Sequence, residues 1–248
     1  MKITVITVCR NAGHTLADTL QSVSAQSHQD VEHLLIDGAS TDGTLEIAQR
    51  FGTHLANLIS EPDLGIYDAM NKGLARARGD LVCFLNADDF YARTDVLETV
   101  AKRYRDSQLD AVFADACFIK PGSKRTVRRY NSGRFSPARI RWGWMPAHPA
   151  LFVKRSVFEQ VGPFRTDYRI AGDFEWVARA FSSLPLKYAY LPEVLVNMRL
   201  GGASTKGWRN TIVLNKEVLR ACRENGMKTN MLMLLSKYPL KFLELAAG

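Results

Sequence analysis

The hydrophobic pattern of the first hundred residues alternates between strand-like and helix-like segments. A continuous apolar run rich in β-branched residues predicts a strand buried on both faces at Ile3–Val8. Further strands are predicted at Val31–Asp37, Leu55–Ser60 and Leu81–Leu85. Apolar residues at helical spacing predict helices at His14–Gln26, Thr44–Phe51, Ile66–Ala77 and Thr94–Arg105. Because short turns join these segments, we predict an α/β fold with a mostly parallel central sheet flanked by helices.

The second half of the chain has a less regular pattern. Apolar runs predict further strands at Ala111–Ile119, Ala150–Val153, Lys187–Leu191 and Val194–Arg199. Helical spacing predicts helices at Ser156–Gly162, Gly172–Phe181, Lys206–Arg223 and Met231–Leu245. Since no repeat and no low-complexity linker interrupts the chain, we predict one domain over residues 1–205 and a C-terminal helical extension over residues 206–248.

The composition is that of a soluble globular protein. Of the 248 residues, 46% are hydrophobic and 23% are charged, which are ordinary values. No apolar run reaches the roughly 18 residues that span a bilayer, and the strand-like N-terminus lacks a signal-peptide pattern. Four scattered cysteines without a CxxC pair disfavour a disulfide framework or a zinc site. We therefore expect a cytoplasmic protein.

The net charge of +8 is unevenly distributed along the chain. Between Lys120 and His148 there are eight basic residues and no acidic residue. Such a run is either a solvated surface or an attraction site for phosphate, on a lipid diphosphate or an anionic membrane. Nucleic acid is disfavoured, because no helix-turn-helix, zinc-finger or RNA-recognition pattern accompanies the charge.

Polar residues follow three of the predicted parallel strands. Arg10 and Asn11 follow the first strand, Asp37 ends the second, and the run Asn86-Ala87-Asp88-Asp89 follows the fourth. In open α/β sheets, ligands bind beyond the carboxyl ends of the strands. We therefore expect these groups to converge at one edge of the sheet.

The run Asn86-Ala87-Asp88-Asp89 offers only oxygen ligands. Adjacent carboxylates raise one another's pKa, and a divalent cation removes that penalty. Oxygen ligands suit Mg²⁺ or Mn²⁺, and so few carboxylates leave coordination positions open for diphosphate oxygens. The alternative is that Asp88 and Asp89 begin a loop or cap a helix.

Two single carboxylates also have alternative roles. Asp37 can accept a hydrogen bond from a nucleobase or a ribose, while Asp42 or Thr44 caps the helix that follows. Asp173 opens a predicted helix. It is either an ordinary acid favoured by the helix dipole or a general base for an attacking hydroxyl.

The segment from Glu61 to Gly73 is dense in polar and turn residues at the start of a helix. Turn propensity explains its proline and first glycine, but it says less about the polar residues within the helix. Asp63 lies in a predicted turn, and Lys72, next to Asn71, is a candidate phosphate contact.

Taken in order, these segments resemble the family-2 glycosyltransferases, which have the Rossmann-like GT-A fold. The matching segments are Val5–Ala12, Ile36–Thr44, Ser60–Gly73, Phe84–Asp89 and Gly172-Asp173. Weaker matches are His148–Phe152, Gly162–Phe164 and Gly201–Thr205. The segment from Glu61 to Gly73 is similar to bacterial transferases of exopolysaccharide and lipopolysaccharide assembly, including those of the colanic acid cluster. Each motif is weak alone, but the ordered set spans most of the chain.

The resemblance implies a role for each candidate residue. Asp88 would hold Mg²⁺ or Mn²⁺, and Asp173 would be the catalytic base. The donor-nucleotide side would include Thr7, Arg10, Asn11, Asp37, Asp63, Asn71, Lys72, Asn86 and Ala87. The acceptor side would include Asp89, Trp144, His148 and Gly172. Two positions depart from the family pattern: Gly38 stands where many members carry a second Asp, and Asn86 replaces the first Asp of the Asp-x-Asp motif, which predicts a lower metal affinity.

The implied activity is that of an inverting, metal-dependent hexosyltransferase of surface polysaccharide biosynthesis. Residues 1–105 would bind a UDP-, GDP- or dTDP-sugar, and residues 106–205 would bind a glycan or a polyprenyl-diphosphate-linked acceptor. A sugar nucleotidyltransferase is the first alternative, but it would need a glycine-rich basic loop where the chain has only Gly13. A non-catalytic nucleotide-sugar-binding module is the second, and the presence of both Asp88 and Asp173 argues against it.

The sequence is compatible with more than one environment for each of two apolar segments. Trp142, Trp144 and Met145, close to His148, either stack on a sugar at the acceptor site or belong to the core. The C-terminal segment 231–243 is apolar with flanking lysines. It lies on the inner membrane as a peripheral contact, packs against the domain, or joins a second copy in a homo-oligomer.

Overall fold

The computed structural model describes residues 1–105, 107–120, 125–201 and 207–238. Its β-strands are β1 (Ile3–Cys9), β2 (Val31–Asp37), β3 (Asn57–Ser60), β4 (Leu81–Phe84), β5 (Asp89–Tyr91), β6 (Ala111–Ile119), β7 (Thr126–Tyr130), β8 (Leu151–Lys154) and β9 (Tyr188–Arg199). Its α-helices are α1 (Leu16–Ser24), α2 (Thr44–Phe51), α3 (Ile66–Leu74), α4 (Val96–Arg105), α5 (Arg155–Val161), α6 (Gly172–Ser183), α7 (Gly207–Glu224) and α8 (Met231–Leu235). Short 3-10 helices occupy Ser132–Arg134, Pro137–Trp142 and His148–Ala150.

The described strands form one sheet, in the order β3-β2-β1-β4-β8-β6-β9-β5, with β7 paired to β6. Strands β3, β2, β1 and β4 run parallel to one another. Strand β8 is antiparallel to both β4 and β6, so β6 and its parallel partner β9 point in the same direction as β1. Of the nine strands, β5, β7 and β8 run the other way. The prediction of a mostly parallel sheet is therefore confirmed.

Helices cover both faces of this sheet, as the alternation along each strand requires. In β1, Ile6 contacts the core under α3, α5, α6 and α7, whereas Ile3 contacts the core under α4. Helix α7 contributes Val218 and Ala221 to the first core, and α8 contributes Leu234. The described part of the C-terminal segment therefore packs against the domain. No helix in the described ranges has both the length and the apolar character needed to cross a bilayer.

The structure contains two strands that the sequence did not predict. Strand β5 is only three residues long and pairs with β9. Strand β7 lies within the basic stretch, where Arg129 forms an ion pair with the buried Asp115 (2.6 Å) and Arg128 lies 4.6 Å from the ring centroid of Phe118. Long-range pairing of this kind gives no signal in local periodicity. The two predicted strands at 187–191 and 194–199 are one strand, β9, whose register against β6 shifts around Pro192.

Several predicted boundaries differ from the structure or lie outside its described residues. Helix α1 is shorter than the predicted His14–Gln26, α3 ends at Leu74, and β3 begins at Asn57. The predicted boundary between residues 205 and 206 lies outside the described residues, as do Lys124, most of the Gly201–Thr205 match and the last turns of the helix predicted to reach Leu245. The division of the chain into a domain and an extension stays a prediction.

The buried His33 gives the stability of the fold a dependence on pH. Its Nε2 lies 2.9 Å from Thr7 Oγ1, and its Nδ1 lies 2.9 Å from His54 Nε2. Burial, reinforced by the charge of His54, lowers the pKa of His33 from 6.5 to about 3. Below pH 6.5 the unfolded chain binds a proton here that the folded chain does not bind. We therefore expect the free energy of unfolding to fall as the pH falls through this window.

Urea unfolding at about pH 7.5 and about pH 5 measures this dependence. The site should contribute a loss of at most about 1.4 kcal/mol per pH unit, and His33→Gln should remove that contribution. His14→Gln changes an exposed histidine and should keep the wild-type slope. An unaltered pH dependence in His33→Gln would contradict the assignment.

Candidate active site

A cavity of about 460 Å³ opens at the carboxyl ends of the parallel strands. Strands β1 and β4 are parallel neighbours, so the residues that follow them lie side by side at this edge. The cavity walls are formed by residues 8–12, by residues 86–89, by the start of α3, by Arg169, Ile170 and Asp173, and by the end of β9. The groups that follow β1 and β4 therefore converge as predicted, whereas Asp37 at the end of β2 lies outside the cavity lining.

The structure brings about half of the predicted site residues into this cavity. Its lining includes Arg10, Asn11, Asn86, Ala87, Asp88, Asp89, His148 and Asp173. The other predicted residues lie outside the lining, and they are Thr7, Asp37, Asp63, Asn71, Lys72, Trp144 and Gly172. A donor or acceptor contact of each predicted residue stays a prediction.

Asp37 is fully buried at the end of β2 and organises the turn that follows. Its carboxylate accepts hydrogen bonds from the backbone N–H of Ser40 (3.0 Å), from the Ser40 hydroxyl and from the Ser60 hydroxyl (2.6 Å). Burial alone would raise the pKa of Asp37, but these bonds outweigh it and hold the pKa below its ordinary value. Ser40 in turn accepts from the N–H of Asn11 (2.7 Å). Asp37 therefore supports the cavity wall indirectly.

Asp63 occupies the space next to Gly38. A Cβ atom on Gly38 would lie 2.1 Å from Oδ2 of Asp63. Any other residue at position 38 would therefore clash with Asp63 unless the Asp63 side chain moved. Asp63 also accepts from the N–H of Gly65 (3.0 Å) and so shapes the turn before α3. The glycine at position 38 is therefore matched to the position of Asp63.

Three predicted polar residues have partners within the protein. The Asn71 side chain donates to the backbone oxygen of Phe164 (2.8 Å) and accepts from its N–H (2.9 Å). Lys72 Nζ forms ion pairs with Glu61 (3.1 Å) and Asp68 (3.4 Å). Thr7 is bonded to His33, as described above. These contacts tie α3 and β1 to their neighbours, which is a structural role that the sequence did not reveal.

The two predicted acceptor-side aromatic residues differ in their surroundings. His148 lines the cavity and stacks on Phe84, with ring centroids 5.6 Å apart. Burial lowers the pKa of His148, against the raising effect of the Asp173 charge, so the ring is neutral at neutral pH. Trp144 lies outside the lining, and the guanidinium of Arg134 lies 5.6 Å from its ring centroid.

The segment after β4 concentrates acceptor oxygens at the cavity wall. Asp89 is buried, and burial together with the charge of Asp88 raises its pKa well above the ordinary value. Burial also raises the pKa of Asp88, partly offset by Arg199. The Oδ1 atom of Asn86 is buried without a hydrogen-bond partner among the described residues. Arg199 Nη1 donates to the backbone oxygen of Asp88 (3.1 Å) and Nη2 pairs with Asp18.

This donor set fits a hard divalent cation. Burial raises the pKa values of Asp88 and Asp89, and Oδ1 of Asn86 has no partner, so the described residues supply few donors or cations to these oxygens. Mg²⁺ and Mn²⁺ take such oxygen ligands, and they leave several positions for water or phosphate. Within the described ranges no cluster of three or more His, Cys, Asp or Glu side chains surrounds a single point. Asp88, with Asn86 beside it, is therefore the residue that fits an ion shared with a ligand.

Asp173 is held at the first turn of α6 on another wall of the cavity. Its Oδ1 accepts from the N–H of Phe174 (2.8 Å) and lies 3.3 Å from the hydroxyl of Tyr67. That hydroxyl donates to the backbone oxygen of Ile170 (2.6 Å). A Cβ atom on Gly172 would lie 2.7 Å from the Tyr67 ring, so the glycine allows this close approach. Burial and the charge of Asp173 raise the pKa of Tyr67, which keeps it a donor.

Several residues that line the cavity were not among the predicted site residues. Among them are the polar residues Tyr67, Arg169 and Arg199. Tyr67 lies in the polar segment 61–73, from which the sequence analysis selects only Asp63, Asn71 and Lys72 as site residues. Arg199 contacts Asp88 and Asp18, which lie 111 and 181 positions before it in the chain. No local sequence pattern could have indicated those partners.

Comparisons with known proteins agree with this arrangement. The family model described as Glycosyl transferase family 2 matches residues 4–171. A PGL/p-HBAD biosynthesis glycosyltransferase of Mycobacterium bovis is 33% identical over 214 residues, which cover 85% of this chain and 79% of the relative.

Two solved structures have a similar fold. Staphylococcus aureus TarS 1-349 in complex with UDP-GlcNAc gives a TM-score of 0.72 at 16% identity, over 95% of this chain and 71% of that one; the chain spans 39% of a longer TarS chain. The mannosyltransferase PcManGT of Pyrobaculum calidifontis, in complex with GDP-Man and Mn²⁺, gives 0.67 at 22% identity, over 88% and 64%. The GT-A type α/β fold is thereby confirmed. Since the family model covers more than half of the chain, the protein belongs to glycosyl transferase family 2.

Proposed function

We propose that this protein is an inverting glycosyltransferase that moves a hexose from a nucleoside-diphosphate sugar to an acceptor hydroxyl. The observation that carries the proposal is that Asp173 on α6 and Asp88 after β4 line the same cavity. A transferase of this kind needs a base for the attacking hydroxyl and a stabiliser for the departing diphosphate. One cavity with both groups supplies these two requirements from different walls.

The donor would bind with its diphosphate near the ends of β1 and β4. Arg10 lines the cavity there and makes no hydrogen bond or ion pair with the described residues, so its guanidinium is available for phosphate. Asn86 Oδ1, which lacks a donor, would accept from a ribose hydroxyl. TarS was solved with UDP-GlcNAc, and PcManGT was solved with GDP-Man and Mn²⁺. Both support a nucleoside-diphosphate sugar as the donor class.

The reaction would be a single displacement. Asp173 takes the proton of the acceptor hydroxyl while the hydroxyl oxygen attacks the anomeric carbon. The bond from that carbon to the diphosphate oxygen breaks on the opposite face, so the anomeric configuration inverts. A divalent cation bound at Asp88 would supply Lewis-acid stabilisation of the charge on the leaving diphosphate. The hydroxyl of Tyr67 lies 3.3 Å from this carboxylate on the side of α3.

The acceptor class is the second part of the proposal. A relative named for PGL/p-HBAD biosynthesis and the resemblance to polysaccharide transferases favour a glycan or lipid-linked acceptor. A cytoplasmic protein in peripheral contact with the inner membrane suits such an acceptor. Leu232 on α8 is 81% exposed, and Thr229, three residues earlier in the chain, donates to the backbone oxygen of the exposed Arg141 (2.6 Å). This apolar and basic surface supports the membrane contact, and a homo-oligomer stays a prediction.

Nucleoside diphosphate release tests the proposed function. The protein is incubated with UDP-, GDP- and dTDP-sugars and Mn²⁺, and the free nucleotide is measured with and without chelator. We expect nucleoside diphosphate from at least one donor and its loss with chelator. Pyrophosphate chemistry would instead indicate a nucleotidyltransferase, and donor binding without turnover would indicate a binding module; either result would overturn the proposal.

A further inference from the structure

One carboxylate on the C-terminal helix α7 holds the segment that leads into the proposed base. Glu217 accepts hydrogen bonds from the backbone N–H groups of three consecutive residues, Arg169, Ile170 and Ala171, each at 2.8 Å. Hydrogen bonds to an ionised acceptor are about twice as strong as neutral ones. Three of them on one side chain fix both the position and the orientation of this stretch of backbone.

The held segment forms part of the active-site wall. Arg169 and Ile170 line the cavity, Ala171 directly precedes α6, and Asp173 is the second residue of that helix. The backbone oxygen of Ile170 accepts from the Tyr67 hydroxyl, which lies 3.3 Å from Asp173. Glu217 therefore holds the N–H side of the segment, while Tyr67 holds its carbonyl side.

Helix α7 is itself firmly anchored, so Glu217 is a fixed point rather than a loose surface acid. Val218, Ala221 and Cys222 on α7 are buried in the core that α6 also contributes to. Further along α7, Glu224 accepts from Arg165 (2.7 Å) and from the hydroxyl of Tyr168 (2.7 Å). The helix thus contacts the connection between α5 and α6 at two places. Glu224 contacts Arg165 and Tyr168, and Glu217 contacts residues 169–171, which are closer to Asp173.

We propose that Glu217 is a positioning residue for the transfer reaction and that α7 supports the active site through it. The family match ends at residue 171, so this helix lies beyond the segment that identifies the family. The inference rests on the proposed role of Asp173 as base. Glu217 acts through the backbone: it sets the direction of the first turn of α6 and thereby the place of the Asp173 carboxylate relative to the acceptor hydroxyl.

The variant Glu217→Gln tests this role with a matched control. Glutamine keeps one acceptor oxygen but loses the charge and directs an amide NH₂ towards backbone donors. Since misplacement by about 1 Å can lower a rate by about 10²-fold, we expect kcat to fall about 10- to 100-fold with donor KM within about twofold. Glu217→Asp, which keeps the charge on a shorter stem, should lose less and serves if the first variant folds poorly. Glu224→Gln, on the same helix, should keep a near wild-type kcat.

A double-mutant cycle separates positioning from a general loss of structure. If Glu217 acts through Asp173, then Glu217→Gln should cost little further activity in an Asp173→Asn background. An equal loss in that background, or an equal loss in Glu224→Gln, would overturn the inference. So would wild-type kcat in Glu217→Gln while Asp173→Asn is inactive. Full activity in Asp173→Asn would instead overturn the proposed base, which keeps the two failures distinguishable.

Discussion

Asp173→Asn is expected to lower kcat by about 10²- to 10⁴-fold, the usual contribution of a positioned base, and to leave donor affinity near the wild-type value. Asparagine has the same shape and retains an oxygen that can accept from the N–H of Phe174 and face Tyr67 as Asp173 does. It cannot take a proton from the acceptor hydroxyl. The loss should therefore fall on turnover rather than on folding or on donor binding.

Two measurements separate these effects. Initial rates of nucleoside diphosphate release in the presence of acceptor give kcat, and calorimetric titration of the donor with Mn²⁺ gives its Kd. Glu159→Gln removes an exposed acid on α5, paired with Arg155, and should match the wild type in both. Undiminished turnover in Asp173→Asn would exclude it as the base. A proportional loss of donor affinity would assign it to binding instead.

The sequence predicted the parallel half of the fold because its signal there is local. The apolar run 3–8 and the largely apolar segment 31–37 are almost entirely buried, and both became strands over nearly the predicted ranges. The sites after β1 and β4 followed from topology, since neighbouring parallel strands end at the same edge. Arg10, Asn11, Asn86 and Asp88 could therefore be placed near one another without coordinates, whereas only the family resemblance assigned Asp173 to the same site.

What the sequence could not reveal depends on partners that are distant along the chain. The charge of Lys72 suggested phosphate, but Glu61 and Asp68 already neutralise it. Asn71 suggested a ligand contact, but its amide joins α3 to Phe164, 93 positions away. In the sequence, Glu217 is an ordinary acidic residue of an amphipathic helix. Only the fold places the backbone N–H groups of residues 169–171 against its carboxylate. In each case a polar side chain has a partner that only the tertiary fold supplies.

Asp88→Asn is expected to weaken cation-dependent donor binding and to lower kcat/KM by about 10²-fold or more. A metal ion supplies several kcal/mol of charge stabilisation to a leaving diphosphate, and about 1.4 kcal/mol corresponds to a factor of ten. The neighbouring Asn86 brings no charge, so Asp88 is the cavity-lining anion best able to hold the ion. Asp89 is buried, and burial and the charge of Asp88 keep its pKa well above the ordinary value, so it offers a poor substitute.

The raised pKa of Asp88 adds a dependence on pH to this prediction. Burial favours the protonated form, and a proton on the carboxylate competes with the cation. Cation affinity should therefore decline on acidification at a higher pH than it would for an ordinary carboxylate, and it should be regained above the raised pKa. Titration of Mn²⁺ across the acidic to neutral range should show this decline in the wild type and in Asp95→Asn, which alters an exposed acid outside the cavity. Asp88→Asn should bind weakly at every pH, and retention of wild-type Mn²⁺ affinity there would move the ion away from the end of β4.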